Sequence, residues 1–365
     1  MGGFVFKNEC RKKKPAMSEE VKVKKVRDSN MELLRIVAML LVMILHADFA
    51  SLSVPTFEQC NDSPLISFFR FFVEGLSVVA VNAFVLLSGW YGIKPSVKKS
   101  AGFIFQTLFL IFFVYFCFFV TGSAVGHSIG EWLKIAFFNQ YWFVQCYILL
   151  IIFAPILNAS VELLDRRTLL FVLLLMFIAQ IVYGFLPYAS IFGWYNSGYS
   201  PLTFFFLYLL ARYVRLYGLS LQRLSSLLFF GGWALVALLM ALLGFLTLYI
   251  GYGGYFLLYF YGYSSPLVII GALLLLLAFS RISVKSSVIN WIASSAFAAY
   301  IVHCHECVFD QIYKSHIAVW FAMDYTLIFV AKTAFLIIVL FCVSILIDKC
   351  RLLIWSLINK IYCSV

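Results

Sequence analysis

Charged side chains are scarce in this chain. Only 12% of its residues are Asp, Glu, Lys or Arg, 64% are apolar, and the mean hydropathy is +1.00. A soluble domain carries about 25% charged residues, so this composition excludes a soluble domain. The apolar runs also lack the period-two alternation of a transmembrane β-strand, and they reach the roughly 20 residues with which a helix crosses a bilayer. The sequence therefore predicts an all-α polytopic membrane protein.

The apolar runs predict about ten transmembrane helices. Between them every second loop is basic, as at Lys98 and Lys99 or Arg166 and Arg167, whereas the opposite loops are acidic or uncharged. Since cytoplasmic loops carry an excess of Lys and Arg, we expect a protein of the cell membrane with both termini in the cytoplasm. The predicted spans cover residues 31–50, 68–92, 101–121, 141–163, 168–187, 201–216, 226–250, 257–279, 288–308 and 325–348.

The N-terminal segment is basic and lacks the apolar core of a signal peptide. Its cations form two clusters, Arg11 to Lys14 and Lys22 to Arg27. We expect residues 1–30 to be a disordered cytoplasmic tail beside the membrane, residues 31–350 to be one transmembrane domain, and residues 351–365 to be a short cytoplasmic tail. Basic residues in the tail and the inner loops account for the net charge of +11, so no nucleic-acid partner is predicted.

Arg35 and His46 lie eleven residues apart in the first predicted span. At about 100° per residue, eleven steps bring a helix back to within about 20° of its starting direction, with a rise of about 16 Å. Both side chains therefore share one face. An ionisable group inside a membrane helix is costly and usually marks a site or a pathway. The alternatives are that Arg35 snorkels or pairs with Glu32, and that His46 is an interfacial residue.

Histidine and cysteine come together in one run, from His303 to Cys307. On a continuous helix His303 and Cys307 share a face while Cys304 and His305 point elsewhere, so no four-ligand metal site forms locally. No metal is predicted. A disulfide between Cys60 and Cys304 or Cys307 remains open, because sequence alone cannot pair them.

Four motifs in chain order resemble the membrane-bound acyltransferase-3 family, from about residue 30 to residue 305. The family pattern has an acidic residue three before an arginine and a histidine eleven after it, which here are Glu32, Arg35 and His46. Trp90 stands where the family more often has Phe or Tyr. The other three motifs are Val81 to Trp90 with its Ser88-Gly89, Tyr141-Trp142-Phe143 with Tyr147, Pro155 and Asn158, and Tyr300-Ile301-Val302-His303.

The resemblance implies transfer of an acyl group, most often acetyl, from cytoplasmic acyl-CoA to a hydroxyl of a cell-surface polysaccharide or another envelope glycan, including a lipid-linked saccharide. Acyl-CoA would be a co-substrate, and no bound cofactor is expected. Arg35 would offer its planar fork to the donor's phosphate or amides. His46 would act as the general base, since an imidazole pKa near about 6.5 suits proton transfer. A covalent acyl-histidine is the alternative.

Other polar side chains are candidates for acid-base chemistry or for shaping the pocket, each with a structural alternative. Ser88 can serve a close helix contact through Gly89, Asn82 can make an interhelical hydrogen bond, and Arg70 can pair with Glu74 at i+4. His303 is a possible partner of His46 or a second acid-base group. Two further cations, Arg212 and Arg215, share a face at the cytoplasmic boundary and suit a CoA phosphate, although membrane orientation alone also accounts for them.

The rival function is a transporter or flippase for lipid-linked oligosaccharide or acyl groups. Such a protein should show repeated halves with broken spans, or several ionisable residues near the bilayer centre. The sequence has no such repeat. A third possibility, an inactive relative kept as a scaffold, is disfavoured by the intact Arg35 and His46.

Overall fold

The computed structural model describes residues 28–94, 96–123, 130, 141–186, 195–218, 223–251 and 259–364. Within these ranges the chain is helical and contains no strand, as the apolar runs predict. The N-terminal tail predicted to be disordered lies outside them, except for its last three residues. The helices are α1 Ser29–Ala47, α2 Phe49–Leu52, α3 Phe57–Asp62, α4 Pro64–Tyr91, α5 Val97–Val120, α6 Trp142–Leu163, α7 Arg166–Gln180, α8 Pro201–Tyr217, α9 Ser226–Tyr249, α10 Pro266–Ser280, α11 Ser287–Ala293, α12 Phe297–His303, α13 Glu306–Val308, α14 Ser315–Met323 and α15 Thr326–Ser364.

Among the described residues, seven helices are long and apolar enough to cross a membrane, and a bent helix pair would make an eighth. The chain is thus a multi-pass membrane protein, but these criteria do not reach the ten spans predicted. Predicted spans 201–216 and 257–279 correspond to α8 with 17 residues and α10 with 15. Pro266, at the first turn of α10, fixes where that helix begins.

The C-terminal helix α15 continues through the segment predicted to be a short tail, because it reaches Ser364. A buried ion pair lies on it at the predicted boundary. Arg351 donates to Asp348 at 2.6 Å, and Gln106 of α5 donates to the same carboxylate at 2.9 Å. These bonds fasten α15 to α5 near the end of the predicted span.

Helix α4 is the centre of the bundle and packs along α1, α8, α9 and α10. Its approach to α8 depends on Gly89. A Cβ placed there would stand 2.9 Å from the Cα of Tyr208, closer than real Cβ contacts come. The close helix contact anticipated at Ser88-Gly89 is therefore present, as small residues allow in membranes.

The predicted span 288–308 is not one continuous helix. Its segments Ser287–His303 and Glu306–Met323 meet at a bend of 72°. Cys304 caps the end of α12, and the ring of His305 accepts a hydrogen bond from the backbone N–H of Cys307, which starts the next turn. A π-helical turn, Phe309–Lys314, follows. The break places the residues around His303 at a helix end, where side chains from other helices can reach them.

Candidate functional site

His46 and His303 are brought together where α12 ends against α1. Nδ1 of His46 lies 2.7 Å from Nε2 of His303, and the ring centroids are 5.0 Å apart. His303 is completely buried, and its Nδ1 lies 2.5 Å from the carbonyl oxygen of Ala299, one turn earlier. This is the partnership with His46 that the sequence left as one option for His303.

These hydrogen bonds determine which nitrogens of the two rings carry the protons. A backbone carbonyl only accepts, so Nδ1 of His303 donates to Ala299. In a neutral ring Nε2 of His303 is then an acceptor, and Nδ1 of His46 must donate to it. The neutral ring of His46 consequently keeps its lone pair on Nε2. That atom has the character of a general base held by a second imidazole.

A small cavity lies beside His46 and has a volume of about 30 Å³. Three of its lining residues come from α1 at i, i+3 and i+7, and most of the others are aromatic. Trp142 stacks on Tyr263 with ring centroids 5.4 Å apart. The lining consists of Met39, Val42, His46, Val81, Phe84, Trp142, Phe143, Tyr263, Phe297 and Tyr300.

Arg35 begins the same stripe of α1. It precedes Met39 by four residues, Val42 by seven and His46 by eleven, so all four positions share one helix face. Its Nη1 donates to Glu32 at 2.5 Å, and its side chain is 33% exposed. This ion pair is one of the alternatives raised by the sequence. It uses one of the five N–H donors of a guanidinium, which leaves the group able to bind an anion.

The two other candidate donor-binding cations differ in what they contact. Arg215 donates to the carbonyl oxygen of Trp90 at 2.7 Å, and its guanidinium lies 5.3 Å from the Trp90 ring. It therefore caps the end of α4, as cations at a helix C-terminus do. Arg212 lies beside Gly92, and its buried Nε has no hydrogen-bond partner in the described ranges. Of the two, Arg212 is the better placed to take an additional ligand.

Ser88 and Asn82, both on α4, make hydrogen bonds to different parts of the structure. The hydroxyl of Ser88 donates to the Phe84 carbonyl and lies 3.1 Å from the Tyr147 hydroxyl, between α4 and α6. The amide of Asn82 donates to the carbonyl oxygen of Tyr263 at 3.0 Å. Asn82 thus holds the turn that carries Tyr263 into the cavity wall, which agrees with its interpretation as a hydrogen-bond partner.

Arg70 makes its ion pair with Asp48 and not with Glu74, the i+4 partner that the sequence suggested. Nε of Arg70 donates to Asp48 at 2.6 Å, and Nη2 donates to the carbonyl oxygen of Ser53. Both side chains are about nine-tenths buried. Glu74 lies in the same region, accepts a backbone bond from Phe49 and keeps one buried oxygen unpartnered in the described ranges. The network fixes the chain at the end of α1, two residues after His46.

Cys304, which the sequence offered only as a ligand within the local run or as a disulfide partner, contacts both histidines. Its Sγ lies 3.5 Å from Nδ1 of His46 and 3.5 Å from Nε2 of His303. The only sequence signal is its position next to His303. Cys60 is a free thiol and so forms no disulfide with Cys304 or Cys307, and burial raises the pKa of the Cys60 thiol.

A family model described as an acyltransferase domain matches residues 28–349 of the chain. The match includes both histidines of the pair, Arg35 and every helix that lines the cavity. No curated protein and no solved structure matches the chain.

Proposed function

Because the chain belongs to the membrane acyltransferase-3 family, we propose that it moves an acyl group, acetyl foremost, from cytoplasmic acyl-CoA to a hydroxyl of a cell-surface polysaccharide or another envelope glycan. The observation that carries the proposal is the His46–His303 hydrogen bond of 2.7 Å beside a cavity, on a helix face that begins with Arg35. One face thus offers a cation for the donor and a base for the acceptor.

The proposed chemistry uses Nε2 of His46. It takes the proton of the acceptor hydroxyl while the oxygen attacks the thioester carbonyl carbon. The new C–O ester bond forms as the C–S bond to CoA breaks, and the departing thiolate takes the proton back from Nε2. His303 accepts the Nδ1 proton of His46 in a hydrogen bond throughout, so it orients the ring and stabilises the imidazolium that forms in between.

The two ends of α1 suit the two substrates. Arg35, with Arg212 at the same predicted cytoplasmic side, would bind the phosphates of the donor, since guanidinium groups match phosphate geometry. The acyl end would then reach His46, about 16 Å further along the helix. The cavity of about 30 Å³ is large enough for little more than water, so the lining side chains would have to move apart to admit the substrates. Its aromatic walls are suited to contact with a sugar ring.

The test is acyl transfer by the purified protein with radiolabelled acetyl-CoA and candidate glycans. A general base contributes roughly 10²–10⁴-fold to the rate, so we expect His46→Ala to lower turnover by about this factor. Binding of acetyl-CoA should remain. His316→Ala is the matched control, because His316 is exposed. Full turnover by His46→Ala would remove this residue from the mechanism. Movement of a saccharide across vesicles without incorporation of label would favour the rival flippase.

A further inference from the structure

The atoms around the histidine pair are also arranged as metal ligands. His46, His303 and Cys304 each offer one ligand atom, and these atoms all lie within 4.8 Å of one another. They come from two helices separated by more than 250 positions in sequence, since His46 and Cys304 differ by 258. The bend of 72° after His303 lets Cys304 turn towards His46. As one continuous helix, the run from His303 to Cys307 predicts no metal site, because the third ligand, His46, lies on another helix.

The distances are close to those of a zinc site. At the usual bond lengths, a tetrahedral zinc holds nitrogen and sulfur ligands about 3.5 Å apart and two nitrogens about 3.3 Å apart. Both N···S distances here are 3.5 Å, and the N···N distance is 2.7 Å. An ion would therefore need the two rings to separate by about 0.6 Å, with the sulfur already in place.

The surroundings of the ligands fit as well. Metal-bound histidines usually donate their second ring N–H to a carbonyl or a carboxylate, which fixes the ring, and His303 makes such a bond to Ala299. Two imidazoles and a thiolate are a donor set that suits zinc, and three protein ligands leave the fourth position open. His46 and Cys304 are only partly buried, so the group is not sealed off.

We infer that His46, His303 and Cys304 form a zinc-binding site, and that zinc bound there inhibits acyl transfer. Zinc displaces the proton of the Cys304 thiol to water. The proton on Nδ1 of His46 moves to Nε2, so that Nδ1 can bind the ion. Nε2 then carries a hydrogen and has no lone pair for the acceptor hydroxyl. Metal binding stands independently of the proposed function, whereas the inhibition rests on it.

Metal binding is tested without any acyl transfer. The full-length protein, stripped with a chelator in detergent, is titrated with cobalt(II) as a spectroscopic probe and then with zinc. We expect one ion per chain and the absorption band of a cobalt–thiolate bond. Cys304→Ala and Cys304→Ser should abolish the band and weaken zinc binding by at least about 100-fold, since loss of even a second-shell partner costs about 10- to 100-fold. Cys307→Ala is the matched control and should keep both.

The inhibition is tested on the same preparations. Zinc should lower the turnover of the wild type, a chelator should restore it, and Cys307→Ala should respond as the wild type does. Unchanged cobalt binding in Cys304→Ala, or no binding by a wild type whose thermal unfolding shows it to be folded, would overturn the site. Zinc binding through Cys304 with turnover unaffected would overturn the inhibition alone. Zinc binding in a protein that transfers no acyl group would count against the proposed function and not against the site.

Discussion

His46 donates to His303 across 2.7 Å, although 257 positions of sequence separate the two residues. The bond has a defined direction because the other nitrogen of His303 is committed to the carbonyl oxygen of Ala299. His303 is thus a positioning residue for the base rather than a second base. This distinction makes the two histidines separable by experiment.

Replacing His303 with alanine should lower kcat and leave the KM for acetyl-CoA unchanged. Without its partner the His46 ring is free to rotate, so the loss should be smaller than the roughly 10²–10⁴-fold effect of removing a general base. His303→Gln should recover part of the rate, because an amide oxygen can accept the Nδ1 proton of His46. Steady-state kinetics of the three proteins provide the measurement, and a rate in His303→Gln no better than in His303→Ala would contradict the positioning role.

Removing the Arg35 guanidinium should raise the KM for acetyl-CoA with little change in kcat at saturation. A lysine at this position keeps the charge but loses the planar fork, so Arg35→Lys should lie between wild type and Arg35→Ala. Arg167→Ala, at an exposed position on α7, is the control for loss of one positive charge. Equal donor affinity in Arg35→Ala and Arg167→Ala would rule out donor binding by Arg35.

Trp142→Ala should weaken the use of the glycan acceptor. Trp142 lines the cavity and stacks on Tyr263, so its loss removes a flat apolar surface on which a sugar ring can lie. We expect a higher KM for the acceptor and an unaltered KM for acetyl-CoA. Trp291→Ala, which removes a tryptophan that is 51% exposed, should change neither constant. An effect of Trp142→Ala confined to the donor would assign the cavity wall to the acyl group instead.

Breaking the Asp48–Arg70 pair should destabilise the protein. Asp48→Ala leaves a buried cation without its partner, which costs about 3–5 kcal/mol. The double variant Asp48→Asn with Arg70→Met should recover part of that loss, since it removes both charges. The exposed pair of Lys332 and Asp324 is the comparison, because such pairs contribute about 0–1 kcal/mol. Thermal unfolding in detergent is measured for the wild type, Asp48→Ala, the double variant and Asp324→Ala, and a double variant no more stable than Asp48→Ala would show that the two charges do not act as a pair.

The amount that sequence alone revealed differs between the bundle and the site. Helical class and the face shared by Arg35 and His46 follow from apolar run length and from the helical period, and both are present in the structure, where the two residues lie on one continuous helix. The number of membrane-spanning helices was harder to predict, because α10 is shorter than a bilayer-spanning run and residues 288–308 are bent rather than continuous. The bend after His303 lies inside the predicted span, and the ring of His305 caps the turn that follows it.

The parts of the site that escaped prediction are contacts between distant segments. Nothing in the sequence marks Asp48 as the partner of Arg70, which lies 2.6 Å away, and the run from His303 to Cys307 does not indicate that Cys304 lies beside His46. The spacing of residues along the sequence predicts neither contact, because each contact depends on how α1 packs on α4 and α12. The family resemblance indicated His46 and His303 as candidates, but the direction of the hydrogen bond between them is set by the bond of His303 to Ala299.

Helix α1 is unbroken from Ser29 to Ala47, and this continuity makes its length as important as its side chains. Deleting one residue between Arg35 and His46 would rotate one end against the other by about 100° and shorten their separation by about 1.5 Å. The imidazole would then point away from His303 even though every functional group was still encoded. Homologous chains should therefore vary freely in composition along the outward faces of this helix, yet tolerate neither insertion nor deletion within it.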